Sequence, residues 1–78
     1  MGINKNIYPQ AFDAAANREQ LYFAQEVWFH MDTEEKLLCS EDCIIEVRDF
    51  IMEDYSEEWD AGLIKDIDEV LEKKKNGN

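Results

Sequence analysis

The chain has 78 residues, 19 of them acidic and 8 basic, for a formal net charge of −11. An apolar content of 45% with nine aromatic side chains excludes the composition of a disordered segment, so one folded domain over 1–78 is expected. Charge of this sign repels nucleic acid and anionic membrane, so direct contact with either is not expected, and a partner met through this surface is basic.

Residues 1–8 are polar and aperiodic and read as a short, flexible N-terminal arm. Pro9 suits the first turn of a helix, where its missing N–H costs nothing. Phe12, Ala15 and Ala16 follow at helical spacing, and Asn17-Arg18 then reads as either a kink or a short break. Leu21, Ala24, Trp28 and Met31, widened by Val27, form a second helical stripe. The alternative is a strand within 21–31, which would make the fold α+β, although the residues there do not alternate cleanly.

Asp32-Thr33-Glu34-Glu35 has the pattern of a capping box, with Glu35 three residues after Asp32. It predicts a short helix through Leu37 and Leu38. Ser40 is the next cap, with Glu41 and Asp42 placed where negative charge complements the helix dipole. Cys43, Ile44, Val47, Phe50, Ile51 and Tyr55 supply the stripe of a core-facing helix. Ser56 opens the last helix. Its stripe is Trp59, Leu63, Ile64, Ile67, Val70 and Leu71, its positive end is Lys73-Lys74-Lys75, and 76–78 form a frayed tail. Gly62 within that helix costs about 1 kcal/mol relative to alanine and marks a close helix contact or a delayed start. These elements predict an all-α fold, a small bundle of three or four helices.

Catalytic and cofactor chemistry is not expected. Cys39 and Cys43 are too few for a disulfide scaffold and read as reduced core thiols. His30 has no partner at metal-ligand spacing. A calcium loop with Gly62 sixth would put Glu57 first but Trp59 third, where an oxygen ligand is needed. No Gly-rich phosphate loop, G-x-S-x-G or His-Glu-x-x-His occurs. The start lacks a signal-peptide pattern, and no apolar run approaches the roughly 18 residues of a membrane span. A soluble, cytoplasmic protein is the expectation, in the host cytoplasm if the chain is phage-encoded.

The acids carry the functional expectation. Between Asp32 and Glu72, sixteen carboxylates face three cations (Lys36, Arg48 and Lys65), an excess of thirteen negative charges. Glu46, Asp49 and Glu53 form a ridge three and four residues apart, joined by Asp42. Asp68, Glu69 and Glu72 repeat the pattern on the last helix. Neighbouring acids on such a ridge lie roughly 4.5–6 Å apart, against about 3.4 Å between charges along a DNA strand. The expected contact charges are the densest set: Glu46, Asp49, Glu53, Asp54, Glu57, Glu58 and Asp60. Tyr22 and Phe29, seven residues apart and away from the Leu21–Met31 stripe, are the expected apolar anchors.

In size, acidity and lack of catalytic motifs the chain resembles the small DNA-mimic inhibitors of phages and mobile elements, such as antirestriction and anti-CRISPR proteins. The resemblance is one of type, without a shared motif, and implies no residue roles. It implies a non-catalytic protein that blocks a basic, nucleic-acid-binding site on a partner protein. The alternative is an adaptor or assembly subunit, or a homodimer, built on the aromatic segment 21–31 with acidity serving solubility.

Overall fold

A proline in the first turn and a short apolar stripe build the first helix. The computed structural model describes residues 7–77, and among them the chain is all-α, with five helices and no strand. Helix α1 (Ile7–Asn17) carries Pro9 in its first turn and buries Pro9, Phe12, Ala15 and Ala16. Ile7 and Tyr8, expected in the arm, are helical; the rest of that arm lies outside the described residues.

The ambiguity at Asn17-Arg18 resolves as a break. Gln20 N–H donates to Ala15 O at 2.8 Å and Glu19 N–H to Ala16 O at 3.1 Å, the paired bonds of a Schellman stop. The residue this motif places in the left-handed region is usually glycine; here it is Glu19, with φ at 61°. Helix α2 (Leu21–His30) follows at once, so the strand alternative for 21–31 is overturned. Its side chains Ala24, Val27 and Trp28 are buried, and the Trp28 ring packs on Phe12 with centroids 5.4 Å apart.

Helix α3 (Thr33–Leu38) has the expected capping box in full. Glu35 N–H donates to Asp32 Oδ1 at 2.8 Å, and Asp32 N–H donates to Glu35 Oε1 at 2.9 Å. Helix α4 (Glu41–Glu53) starts after Ser40 as expected, but the Ser40 hydroxyl makes no capping bond. Instead Ser40 N–H donates to both Asp13 carboxylate oxygens, at 3.1 and 3.2 Å, which ties α4 to α1. Cys43, Ile44, Val47 and Ile51 are buried; Tyr55, expected on this stripe, lies beyond the helix end and is exposed.

Helix α5 (Glu57–Asn76) is the longest, at 20 residues or about 30 Å. Asp60, rather than the Ser56 hydroxyl, closes its first turn: Ser56 N–H donates to Asp60 Oδ2 at 2.8 Å. Leu63, Ile64, Ile67 and Val70 bury its inner face. Lys74 Nζ donates to Leu37 O at 2.8 Å, fastening the far end of α5 to α3. Asn76 is helical rather than frayed, Gly77 caps the helix, and Asn78 lies outside the described residues. Gly62 marks neither a close contact nor a delayed start: α5 begins five residues earlier, and a Cβ at Gly62 would meet no atom within 4 Å.

Helices α4 and α5 pack side by side, α1 lies against α2 and α4, and α3 against α5. Between α2 and α5 the link is made by side chains. Trp28 Nε1 donates to Asp66 Oδ2 at 2.9 Å, and Lys36 Nζ reaches the same oxygen at 2.6 Å.

Candidate functional site

Where α2 meets the turn between α4 and α5, a cleft of about 300 Å³ opens to solvent. Tyr22 and Gln25 line it from α2, Phe50, Ile51, Glu53 and Asp54 from the end of α4, and Asp60 from α5. The Tyr22 ring meets Phe50 edge-on, centroids 5.9 Å apart. Of the residues singled out from sequence, the fold therefore brings Tyr22, Glu53, Asp54 and Asp60 together. Asp60 already accepts the Ser56 N–H, so its carboxylate also holds the turn that shapes the cleft.

The ridge on α4 runs away from this cleft. At about 100° per residue, Asp42, Glu46, Asp49 and Glu53 fall within about 60° of one another around the helix. All four are exposed. Asp49 lies about 6 Å and Glu46 about 10 Å along the helix from Glu53. Arg48 projects from the opposite flank and pairs with Asp68 of α5, Nε to Oδ1 at 2.7 Å. That bond raises the Arg48 pKa above its ordinary value, so the guanidinium stays charged.

The pairing also fixes the geometry of the two acidic helices. Because Arg48 faces α5, the α4 ridge lies on the side away from α5. The two ridges do not stand side by side, and Asp68 is turned toward the seam between the helices. Glu57 and Glu58 remain exposed in the first turn of α5, next to the cleft-lining Asp60.

Two aromatic positions stand out beyond the cleft. Phe29 is 64% exposed and lies about two turns along α2 from Tyr22, on the same outer face, without lining the cleft. Trp59, expected on the buried stripe of the last helix, is 79% exposed, the most open of the large apolar side chains described. It precedes the point at which α5 sinks into the core at Leu63. The sequence does hold a signal for this: Glu57, Glu58 and Asp60 flank Trp59, and a turn this charged stays in water.

The remaining reactive groups are quiet. Cys39 and Cys43 are free and buried. Burial, then the nearby Asp13 carboxylate, pushes the Cys39 thiol up to about 12, and the same causes raise Cys43. Both are thiols, not thiolates, at neutral pH. His30 stacks on Tyr8, ring centroids 6.3 Å apart. Among the described residues, no group of three or more His, Cys, Asp or Glu side chains is arranged to hold a metal ion. No helix among them is long and apolar enough to cross a membrane. Comparison with protein-family models, curated proteins and solved structures returned no match.

Proposed function

We propose that the chain is a non-catalytic, acidic inhibitor of the DNA-mimic type, which occupies a basic, nucleic-acid-binding site on a partner protein. The observation that carries this reading is the α4 ridge. Asp42, Glu46, Asp49 and Glu53 are exposed along one line of a helix whose other side is locked into the core by Cys43, Ile44, Val47 and Ile51. Asp54, Glu57 and Glu58 continue the exposed charge around the turn into α5. Carboxylates fixed on a folded helix lose little further entropy on binding, and the net charge of −11 steers them toward a cationic groove. The spacing along one ridge, about 4.5–6 Å, is of the same order as phosphate spacing along one strand.

The test is capture of partners on immobilised protein at low salt, with the Glu46→Lys/Asp49→Lys/Glu53→Lys variant as control. A nucleic-acid-binding protein should be retained by the wild type, released as salt rises and displaced by added duplex DNA, and it should pass through the variant column. Exposed charges are screened beyond about 8–10 Å near physiological salt, so retention should weaken as salt is raised toward and past that level. A partner indifferent to salt and to the three reversals would sink the reading.

Exposure of Tyr22 and Phe29 on the outer face of α2 favours a second reading, an adaptor that docks through that helix. Replacing both by serine separates the two. An adaptor loses its partner, whereas an inhibitor working through the α4 ridge retains most of its binding.

A further inference from the structure

Helix α2 leaves one side uncovered. At about 100° per residue, Tyr22, Phe23, Glu26, Phe29 and His30 fall within an arc of about 120°, on the side away from the buried Ala24, Val27 and Trp28. All five are exposed, the three aromatics Tyr22, Phe23 and Phe29 by 74%, 54% and 64%. Both ends of the arc are braced by neighbouring helices. Phe50 of α4 meets the Tyr22 ring edge-on, and Tyr8 of α1 stacks on His30. Rings held in this way lose little further freedom when they are covered. An aromatic side chain offers about 200 Å², so the three together expose about 400 Å², half of the roughly 800 Å² per partner in a standard interface. Glu26, His30 and Tyr8 extend the patch.

Charge selects what covers it. Residues 7–31 hold three acids and one cation, whereas 32–77 hold sixteen acids and six cations. The arc itself carries a single formal charge, Glu26. A basic protein is drawn to the other half of the chain, while two copies meeting at α2 bring together the least charged part of each. Spacing supplies two-fold complementarity. Tyr22 and Phe29 lie symmetrically about the Gln25–Glu26 bond, and Phe23 and His30 about the Glu26–Val27 bond. Antiparallel α2 helices related by a two-fold axis near Glu26 therefore set Tyr22 against Phe29, and Phe23 against His30, of the second copy. We propose that the outer face of α2 is the interface of a homodimer of this chain. The two Glu26 carboxylates then lie nearest the axis and oppose each other. The α4 ridge carries no part of this contact, so the dimer and the inhibitor reading stand or fall separately.

Sedimentation equilibrium of the full chain over a concentration series tests it. The mass should rise from 9.2 kDa toward twice that value, with a midpoint at about 1–100 μM for an interface of this size. Added salt should tighten the dimer, because it screens the repulsion between two copies at −11 each. Contact with a basic partner weakens under the same change. The Tyr22→Ser/Phe29→Ser variant, its fold checked by far-UV circular dichroism, should remain monomeric throughout. Glu26→Gln should tighten the dimer about two- to fivefold by removing the opposed charges at the axis. Glu69→Gln, which removes the same charge from an exposed position on α5, should leave it unchanged. A chain that stays at 9.2 kDa up to about 1 mM overturns the proposal and hands the face to a foreign partner. A dimer that survives the two serines, or that responds alike to Glu26→Gln and Glu69→Gln, overturns it as well.

Discussion

Replacing Asp66 by alanine should destabilise the fold by about 1–4 kcal/mol, most of it through one hydrogen bond. Asp66 Oδ2 accepts from Trp28 Nε1 at 2.9 Å and from Lys36 Nζ at 2.6 Å, and the Lys36 ammonium lies 5.0 Å from the Trp28 ring centroid. Trp28 is 1% exposed, so in the fold its indole N–H depends on Asp66 as its acceptor. An unsatisfied buried donor costs about 1–3 kcal/mol. The ion pair adds less. The side chains of Lys36 and Asp66 are 14% and 40% exposed, and solvent screening holds such a pair to about 1 kcal/mol or below.

The two contributions separate in a double-mutant cycle with Trp28→Phe, which keeps a ring in the core and deletes the donor. Urea denaturation followed by far-UV circular dichroism gives each stability. In the Trp28→Phe background, Asp66→Ala should cost only the ion-pair share, about 1 kcal/mol or less. Asp66→Asn should fall between, because the amide oxygen still accepts from Trp28 but carries no charge for Lys36. Equal costs of Asp66→Ala in both backgrounds would refute the claim that the indole bond holds α2 to α5.

Three further outcomes follow from single positions. Gly62→Ala should stabilise the protein by about 0.5–1 kcal/mol in the same urea assay, since the new methyl meets nothing within 4 Å and the helix gains propensity. Glu19→Gly should stabilise by about 1 kcal/mol by relieving the positive φ of 61°, whereas Glu19→Ala, which removes the same charge but keeps a Cβ, should not; equal gains would place the effect in charge rather than backbone. Because Cys39 is raised from 9.0 to about 12 in the fold, the unfolded chain loses its thiol proton first as pH rises. Its contribution is therefore whole below pH 9 and declines by up to about 1.4 kcal/mol per pH unit toward pH 12, a decline that Cys39→Ala should remove from the stability–pH curve.

Much of the fold was legible because local chemistry and tertiary packing agree. The Asp32–Glu35 box, the Cys43–Ile51 stripe and the Leu63–Val70 stripe each use contacts within one helix or one apolar face, which spacing reports directly. Where a long-range partner intervenes, spacing is silent. Ser40 stands at the start of α4 as its residue type suggests, yet its N–H is held by Asp13 of α1, twenty-seven residues away in sequence. The stop after α1 was ambiguous because Glu19 occupies the position that a glycine would have advertised. Trp59 and Tyr55 match the periodicity of their stripes but lie at helix ends, where the neighbouring helix no longer covers them.

The candidate site was legible in composition and not in arrangement. Sequence spacing treats every carboxylate alike, whereas the fold divides them. Asp13 and Asp60 hold backbone N–H groups, Asp32 caps α3, and Asp66 and Asp68 meet cations drawn from other helices. These acids serve folding, and their charge is partly answered within the molecule. Arg48 decides the rest: by turning toward Asp68 it takes the one cation of α4 to the flank opposite the ridge. Asp42, Glu46, Asp49 and Glu53 are left as an exposed line on a helix whose other side is held by Cys43, Ile44, Val47 and Ile51. Self-repulsion along that line works against folding, and among the described residues α4 itself places no cation on that flank. A cationic partner would relieve it, so the ridge, rather than total acidity, is where binding and stability should be coupled.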